Sequence, residues 1–502
     1  WALSGQTGVR FNRDDAFRRI SRSFHAVKDS EYAPPVSLQK TLRKYQRDGY
    51  RWLRTLDGYG MGGILADDMG LGKTVQVLSY LLAMKQNGQT LPSLIVCPAS
   101  LVLNWAEECQ KFTPELSCVV VDGDAAHRAE LAESWPAADL VVTSYDLLRR
   151  DEALYEGQEF YACILDEAQA IKNHTTQKYK AVCKVRSRVR FALTGTPVEN
   201  RLGELWSIFS FLMPGYLPPY KSFCSRFEKP IVQEEDPTAV RRLNQLTGPF
   251  ILRRMKSDVL KELPPKTENV YRIELEEEQR KLYLAAVVDA REKLQAAKPE
   301  DKMAVFAVLM RLREICCDPR LIADNWEGGS AKLDACVELV SSAVEGGHRI
   351  LLFSQFTSML ELLAKRLDAE GISHFTLQGS TPKPVRAELV RRFNGGEVSV
   401  FLISLRAGGT GLNLTAADIV IHYDPWWNVA AQNQATDRAY RIGQQNPVQV
   451  YKLIAQDTIE EKIVELQQAK QSLADTVTGT ADGAILSMRP DELLQLLEGS
   501  EP

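Results

Sequence analysis

Apolar residues fall into two sets of short, nearly unbroken runs. The first comprises Leu94–Cys97, Cys118–Val121, Leu140–Thr143, Ala162–Leu165 and Phe191–Thr194. The second comprises Ile350–Phe353, His374–Leu377, Val398–Ile403, Ile419–Tyr423 and Val448–Ile454. Between the runs, apolar positions recur at helical spacing. Strands that are apolar at successive positions belong to a sheet covered on both faces, and strands alternating with helices predict parallel order. Two such sets predict an α/β chain with two parallel-sheet cores. Leu38–Leu53 reads as an amphipathic helix, residues 201–260 as helical and aromatic, and 276–315 as a long charged helical stretch. Val270–Leu275 alternates like a strand, and Leu263-Pro-Pro-Lys266 reads as a linker.

One apolar run leads directly into chemistry. Ile64-Leu-Ala precedes Asp67-Asp-Met-Gly-Leu-Gly-Lys-Thr74, and the helical Val75–Leu82 follows. A buried strand, a glycine turn and a helix start make a phosphate loop. Gly70 and Gly72 let backbone N–H groups face a polyphosphate, Lys73 reaches the β- and γ-phosphates, and the Thr74 hydroxyl holds Mg²⁺. The strict pattern is broken at Asp67, where its first glycine belongs. Parallel sheets bind ligands at the carboxyl ends of their strands. There, directly after residues 162–165, stands Asp166-Glu-Ala-Gln169. Asp166 suits the Mg²⁺ shell, and Glu167 can accept a proton from an attacking water. Thr194-Gly-Thr-Pro197 ends the next strand with hydroxyls placed to sense or relay phosphate state. The Gln46 amide offers a donor and an acceptor to an adenine edge, or is simply a surface glutamine. The second core has no phosphate loop. It carries Asp437-Arg438-Ala-Tyr-Arg441, two arginines three apart on one helix face. They are surface charges unless a nucleotide sits in the first core, in which case they are candidate arginine fingers.

Composition narrows the class. At 502 residues the chain is too long for one core. Its 45% hydrophobic and 25% charged content is that of a globular protein, and no apolar run approaches the roughly 18–20 residues of a membrane span. It opens on Trp1, which predicts a fragment or processed form. The nine cysteines include no C-x-x-C pair and read as buried reduced thiols rather than disulfides or zinc ligands. A net charge of −4 does not mark a nucleic-acid binder. Basic residues are nonetheless clustered, at residues 10–54, at Arg186/Arg188/Arg190, at Arg253/Arg254/Lys256 and at Arg386/Arg391/Arg392. Such clusters are either phosphate-holding stripes or solvated helix faces.

In order, Gln46, Asp68–Thr74, Asp166-Glu-Ala-Gln169, Leu193-Thr-Gly-Thr-Pro197 and Gln434-Ala-Thr-Asp-Arg-Ala-Tyr-Arg-Ile-Gly-Gln444 resemble the superfamily 2 helicase-like ATPases. More narrowly, the chain is similar to SWI/SNF-type double-stranded DNA translocases. That likeness rests on Asp67–Thr74, Leu252-Arg-Arg-Met-Lys-Ser-Asp-Val259, Leu263-Pro-Pro-Lys266, Leu402-Ile-Ser-Leu-Arg-Ala-Gly-Gly-Thr-Gly-Leu-Asn-Leu414 and Asp424-Pro-Trp-Trp-Asn428. It covers roughly residues 38–460.

The resemblance implies two RecA-like lobes. After a basic lead at 1–37, lobe one spans 38–260 with a helical insertion near 201–250. A linker at 261–266 precedes lobe two at 267–457, with an insertion near 276–330, and a helical brace at 458–502. It implies ATP and Mg²⁺ as cofactors. Around the nucleotide it puts Gln46, Asp67, Asp68, Met69, Gly70, Leu71, Gly72, Lys73, Thr74 and Gly411, with Thr74 and Asp166 on the metal. Lys73, Glu167, Gln169, Arg438 and Arg441 are the implied catalytic set. DNA-facing positions match Pro98, Ser100, Asn104, Trp105, Thr143, Ser144, Tyr145, Lys172, Asn173, Ser354, Gln355, Gly408, Gly409, Thr410 and Trp427. The implied partners are double-stranded DNA, gripped through phosphate and sugar without sequence preference, and DNA-bound protein as the remodelling target. No membrane is implied. The location is the cytoplasmic nucleoid of a prokaryote or the nucleus of a eukaryote.

Two departures stand out. Gln169 replaces a frequent histidine, and Val429-Ala-Ala-Gln432 replaces a commoner proline- and acid-containing run. The expected activity is ATP-driven translocation on duplex DNA. The alternatives are a strand-separating helicase of the same superfamily and a non-enzymatic nucleic-acid-binding scaffold.

Overall fold

A computed structural model describes residues 31–195, 202–234, 236–296, 301–323, 325–408, 412–426 and 429–467, together with Leu493, Leu494 and Leu497. The basic lead before residue 31, Thr196, Pro197, Gly409, Thr410, Gly411, Trp427 and most of the expected C-terminal brace lie outside the described residues. The chain divides into two compact units, Trp1–Lys261 and Glu262–Pro502.

The first unit is built on a parallel sheet of seven strands. In chain order they are β1 (Gly63–Leu65), β2 (Ser93–Cys97), β3 (Cys118–Val120), β4 (Leu140–Ser144), β5 (Glu159–Asp166), β6 (Arg186–Leu193) and β7 (Ile251–Leu252). Their spatial order is β3-β4-β2-β5-β6-β1-β7. The central strands are buried along their length, which is why they read as continuous apolar runs. Register aligns the strand ends. Leu65 lies opposite Leu193, and Leu193 lies opposite Asp166. Leu165 faces Val96, and Leu65 also faces Leu252. The segments after β2, β5, β6, β1 and β7 therefore all leave the sheet from one row.

The insertion after β6 contains the helices Leu202–Leu212 and Pro237–Thr247, matching the helical expectation. β7 is the exception within 201–260. Two residues carry no period, and their strand conformation comes from pairing with β1.

The second unit has six parallel strands: β8 (Lys266–Ile273), β9 (Ile350–Ser354), β10 (His374–Leu377), β11 (Val400–Ser404), β12 (Ile419–His422) and β13 (Val448–Ala455). Their order is β10-β11-β9-β12-β13-β8. Alternate residues feed two cores. Ile350, Leu352, Val400, Leu402, Ile419 and Ile421 enter one, and Leu351, Phe353, Phe401, Ile403 and Val420 enter the other. β8 begins at Lys266 and lies at the sheet edge beside β13, which leaves most of its side chains exposed. Helices Glu277–Ala296 and Lys302–Cys317 pack through Tyr283, Val287, Leu309 and Leu312 into a third cluster that also takes Ile459, Ile463, Leu493 and Leu497. All nine cysteines are free, and six are buried. No described helix is long and apolar enough to cross a membrane.

A buried ion pair closes the end of β13. Lys332 Nζ lies 2.8 and 2.5 Å from the Glu460 carboxylate oxygens, and both side chains are fully buried. Glu460 also accepts the Ala455 N–H at 2.8 Å. Breaking a buried pair from one side strands the other charge. Glu460→Gln is expected to destabilise the second unit by about 3–5 kcal/mol in chemical denaturation, whereas the joint change Lys332→Met with Glu460→Leu recovers most of that loss.

Candidate active site

The phosphate loop emerges from β1 and wraps the start of helix Lys73–Gln86. Gly70 and Gly72 both take positive φ, +83° and +75°, a region that glycine enters without strain. A Cβ on Gly72 would meet Gln46 Nε2 at 2.5 Å, so the tight packing also demands glycine. The first N–H groups of the helix lack intrahelical acceptors, and with the helix dipole they form an anion cradle. The Lys73 ammonium donates to the Asp67 carbonyl at 2.6 Å and lies 3.4 Å from that of Asp68, which keeps it within the loop's curl. Thr74 is the second residue of the helix and half-buried. Met69 and Gly70 are half-buried, and Leu71 is fully buried.

Gln46 is buried and engaged at both ends of its amide. Oε1 accepts the Arg43 N–H at 2.9 Å, and Nε2 donates to the Leu71 carbonyl at 3.1 Å. Tyr45 donates its hydroxyl to the same carbonyl at 3.0 Å. In this structure Gln46 therefore holds the loop's shape.

The substitution at Asp67 has a structural cause. Its carboxylate has no exposed surface. Arg254 Nε donates to Asp67 Oδ1 at 2.8 Å, Arg254 Nη2 pairs with Oδ2, and Gln76 Nε2 reaches Oδ2 at 3.2 Å. Arg254 also bonds Gln76 Oε1 at 2.7 Å and the Tyr45 carbonyl, and its guanidinium lies 5.2 Å from the Tyr45 ring centre. The backbone is stitched alongside. Ala66 N–H donates to Leu252 O at 2.7 Å, Asp68 N–H to Arg254 O at 3.0 Å, and Lys256 N–H to Asp68 Oδ2 at 2.9 Å. A glycine at 67 would leave Arg254 without its carboxylate. In the sequence Arg254 stands in a basic cluster with Arg253 and Lys256. The available signal was an acid inside a phosphate loop, which calls for a cation from elsewhere in the chain.

Asp166 ends β5, one strand away from β6 and two from β1. Trp105 Nε1 donates to its Oδ2 at 2.8 Å, the Glu167 N–H to its Oδ1 at 2.9 Å, and the Tyr145 hydroxyl to its carbonyl at 2.9 Å. Burial pushes the Asp166 carboxyl up to about 7, and the adjacent Glu167 charge pushes the same way, against the pull of Trp105 and Lys73. A positive charge at this carboxylate would reverse the shift, which fits a cation-binding acid. Glu167 holds φ +50° and ψ +57°, a left-handed conformation that costs a non-glycine residue on the order of 1 kcal/mol. Its Oε2 accepts Gln169 Nε2 at 2.8 Å, and Gln169 Oε1 accepts the Thr194 hydroxyl at 3.1 Å. Gln169 thus bridges the ends of β5 and β6. A neutral imidazole can also donate once and accept once, so the amide serves where histidine is frequent.

The predicted DNA-facing residues divide by exposure. Pro98, Ser100, Asn104 and Lys172 are half-buried at the surface, and Asn173 is exposed. Asn104 lies 3.4 Å from Glu108, and Lys172 lies 3.9 Å from Glu204. Gln355 is also half-buried. Five other side chains are buried and bonded within the protein. Trp105 is buried on Asp166. Thr143 accepts from Tyr155, Ser144 caps the helix Tyr145–Arg150, Tyr145 bonds the Asp166 carbonyl, and Ser354 donates to Asp424 at 2.7 Å. Each is buried, with its polar atom engaged inside the protein. Gly408 ends the helix Leu405–Gly408. The cluster at Arg386/Arg391/Arg392 is a solvated face. Arg391 pairs with Glu388, Arg392 with Glu397, and Arg386 with loop carbonyls.

The two second-unit arginines do not share a helix. Helix Val429–Thr436 stops before them, and the Thr436 hydroxyl is bonded to the buried His422 at 2.9 Å. Arg438 and Arg441 stand on the turns that follow. Arg438 is buried, and its carbonyl accepts the Leu414 N–H at 3.0 Å. Arg441 is half-buried, with Nη1 3.5 Å from the Leu412 carbonyl. Both are thereby tied to the Leu412–Leu414 segment.

The SNF2-related domain family matches residues 45–321, more than half of the chain. The chain belongs to the SNF2-related family. The helicase conserved C-terminal domain matches residues 331–443. Among its relatives, the putative ATP-dependent helicase/translocase YwqA of Bacillus subtilis is 39% identical over 98% of this chain and 55% of its own length. The TATA-binding protein-associated factor MOT1 of Saccharomyces cerevisiae is 34% identical over 95% of this chain and 30% of its own. A Sulfolobus solfataricus SWI2/SNF2 ATPase core solved in complex with dsDNA is 36% identical, covers 87% of this chain and 93% of that one, and has a TM-score of 0.45. The chain spans about half or less of the length of these curated relatives.

The clamp on Asp67 yields a direct test. Arg254→Gln leaves a buried carboxylate without its cation, so fluorescent-ATP affinity is expected to fall by about 10–100-fold, as for other residues that hold a binding group in place. Asp67→Asn combined with Arg254→Gln restores a neutral hydrogen-bonded pair and recovers part of that affinity. Titration of both variants checks it.

Proposed function

We propose that this chain is the motor of a DNA-dependent ATPase that moves along double-stranded DNA and displaces or remodels protein bound to it. The observation carrying the reading is the shared row of strand ends. From it leave the phosphate loop, the Asp166-Glu167 pair and the Thr194 hydroxyl. Family membership and the name of the Bacillus relative support the same reading. MOT1, whose name ties it to a DNA-binding protein, favours bound protein as the object of the motion.

Magnesium-bound ATP would supply the phosphoanhydride and the charge that must be stabilised. The chain's own residues do the rest. The helix N-terminus and Lys73 hold phosphate oxygens, with Lys73 leaving the Asp67 and Asp68 carbonyls for them. Thr74 and Asp166 would hold the metal. Glu167, oriented by Gln169, accepts the proton of the attacking water at its carboxylate. Thr194 fixes the outer end of that amide, so β6 takes part in orienting the base. Gln46 and Tyr45 keep the loop in register while its glycines stay in positive φ. Arg438 and Arg441 are the second unit's candidates for stabilising transition-state charge. The surface segment Pro98–Asn104, a turn running into the first residues of helix Val102–Phe112, is with Lys172 and Asn173 the first unit's candidate grip on a phosphate backbone.

Phosphate release measured without nucleic acid and with single-stranded DNA, duplex DNA or RNA tests the reading, with Glu167→Gln as the blank. Duplex DNA is expected to stimulate most, and Lys73→Ala to lower the stimulated rate by roughly 10²–10³-fold, as loss of a preorganised charged donor does. Equal stimulation by single strands or RNA would point to a strand-separating relative instead. A Lys73→Ala rate equal to wild type would remove the phosphate loop from the mechanism.

A further inference from the structure

Trp105 occupies an unusual position for a residue in a DNA-facing stretch. It sits one position after Asn104, in helix Val102–Phe112, which follows β2. Asn104 and Ser100 are at the surface, whereas Trp105 is 1% exposed. Its indole N–H ends on Asp166 Oδ2, 61 residues along the chain. Helix geometry forces this division. Neighbouring helical residues point about 100° apart, so one can face solvent while the next faces the sheet. Tyr145 repeats the arrangement from β4. It follows the capping Ser144, is buried, and bonds the carbonyl of the same Asp166. Two stretches that the resemblance assigns to DNA therefore converge on one residue, Trp105 on the Asp166 carboxylate and Tyr145 on its backbone carbonyl.

We propose that Trp105 is a positioning residue that links the DNA-gripping segment Pro98–Asn104 to the metal-holding carboxylate of Asp166. This rests on the reading of the chain as a DNA-stimulated, magnesium-dependent ATPase. The indole donates one hydrogen bond and has no second polar group. It fixes Oδ2 while the Glu167 N–H fixes Oδ1, so the carboxylate plane has little freedom. A shift of helix Val102–Phe112 when DNA engages Ser100 and Asn104 rotates that carboxylate. DNA would thereby act on the carboxylate that holds the metal without touching it. Tyr145 holds the backbone of the same residue and makes the strand end the fixed pivot.

Trp105→Phe keeps an aromatic ring in the core and removes the N–H. Three readouts separate the roles. Fluorescence anisotropy of a labelled duplex without nucleotide reports grip. The Mg²⁺ concentration giving half-maximal binding of a fluorescent ADP analogue reports the carboxylate. The ratio of duplex-stimulated to basal phosphate release reports coupling. The expected result is wild-type duplex affinity, a rise of about tenfold in the Mg²⁺ requirement, and a loss of most of the stimulation. Duplex affinity falling in step with stimulation would overturn the proposal, because Trp105 would then be a DNA contact. An unchanged Mg²⁺ requirement with full stimulation would also overturn it. A wild-type chain that no duplex stimulates would instead sink the underlying reading. Should Trp105→Phe fail to fold, Tyr145→Phe, which removes the second tie to Asp166, is expected to show the same separation of grip from metal requirement.

Discussion

Asp67 has no exposed surface, and Arg254, 187 residues further along the chain, supplies its counter-charge. Much of the first unit's site hangs on that pairing. It holds the first limb of the phosphate loop, whose carbonyls in turn hold Lys73. It explains why the chain makes a long helical excursion after β6 and then returns for a two-residue strand beside β1. The return delivers the Arg254 side chain and three further hydrogen bonds along Ala66–Asp68. Arg254 lies close in sequence to Lys261, the last residue of the first unit. The segment that leaves this unit is thus the one bonded to its phosphate loop.

A second principle is the division between side chains that face outward and side chains that hold the chemistry. Asp166 is surrounded by donors on its carboxylate and carbonyl alike, yet burial still pushes its carboxyl up to about 7. Glu167 beside it is held in a left-handed backbone conformation. Strain of that kind survives where neighbours over-determine it, as Gln169 and Thr194 do here. The second unit uses the same economy. Asp424 collects Arg313, Ser354 and the Gln355 N–H, so the acid of Asp424-Pro-Trp acts as a buried fastener at a strand end.

The two sheets were legible because their strands are buried on both faces, and burial writes a continuous apolar run. The phosphate loop was legible because its glycines and Lys73 have few alternative uses at that spacing. Other features depend on partners far away in sequence. β7 has no pattern of its own, and Arg254 looks like any surface arginine until Asp67 is beside it. Trp105, Thr143, Ser144, Tyr145 and Ser354 stand in stretches that the resemblance assigns to DNA, but a stretch alternates between faces and the resemblance does not say which residue points inward. Arg438 and Arg441 are spaced for one helix face, yet the helix ends at Thr436.

The central claim is that hydrolysis drives motion along an intact duplex. A triplex-displacement experiment tests it most directly, with a third strand bound to duplex DNA and its release followed over time with ATP. Release that needs ATP, disappears in Glu167→Gln, and leaves the two duplex strands paired is the predicted result. Release that proceeds equally without hydrolysis, or that appears only together with separation of the duplex strands, would contradict the account.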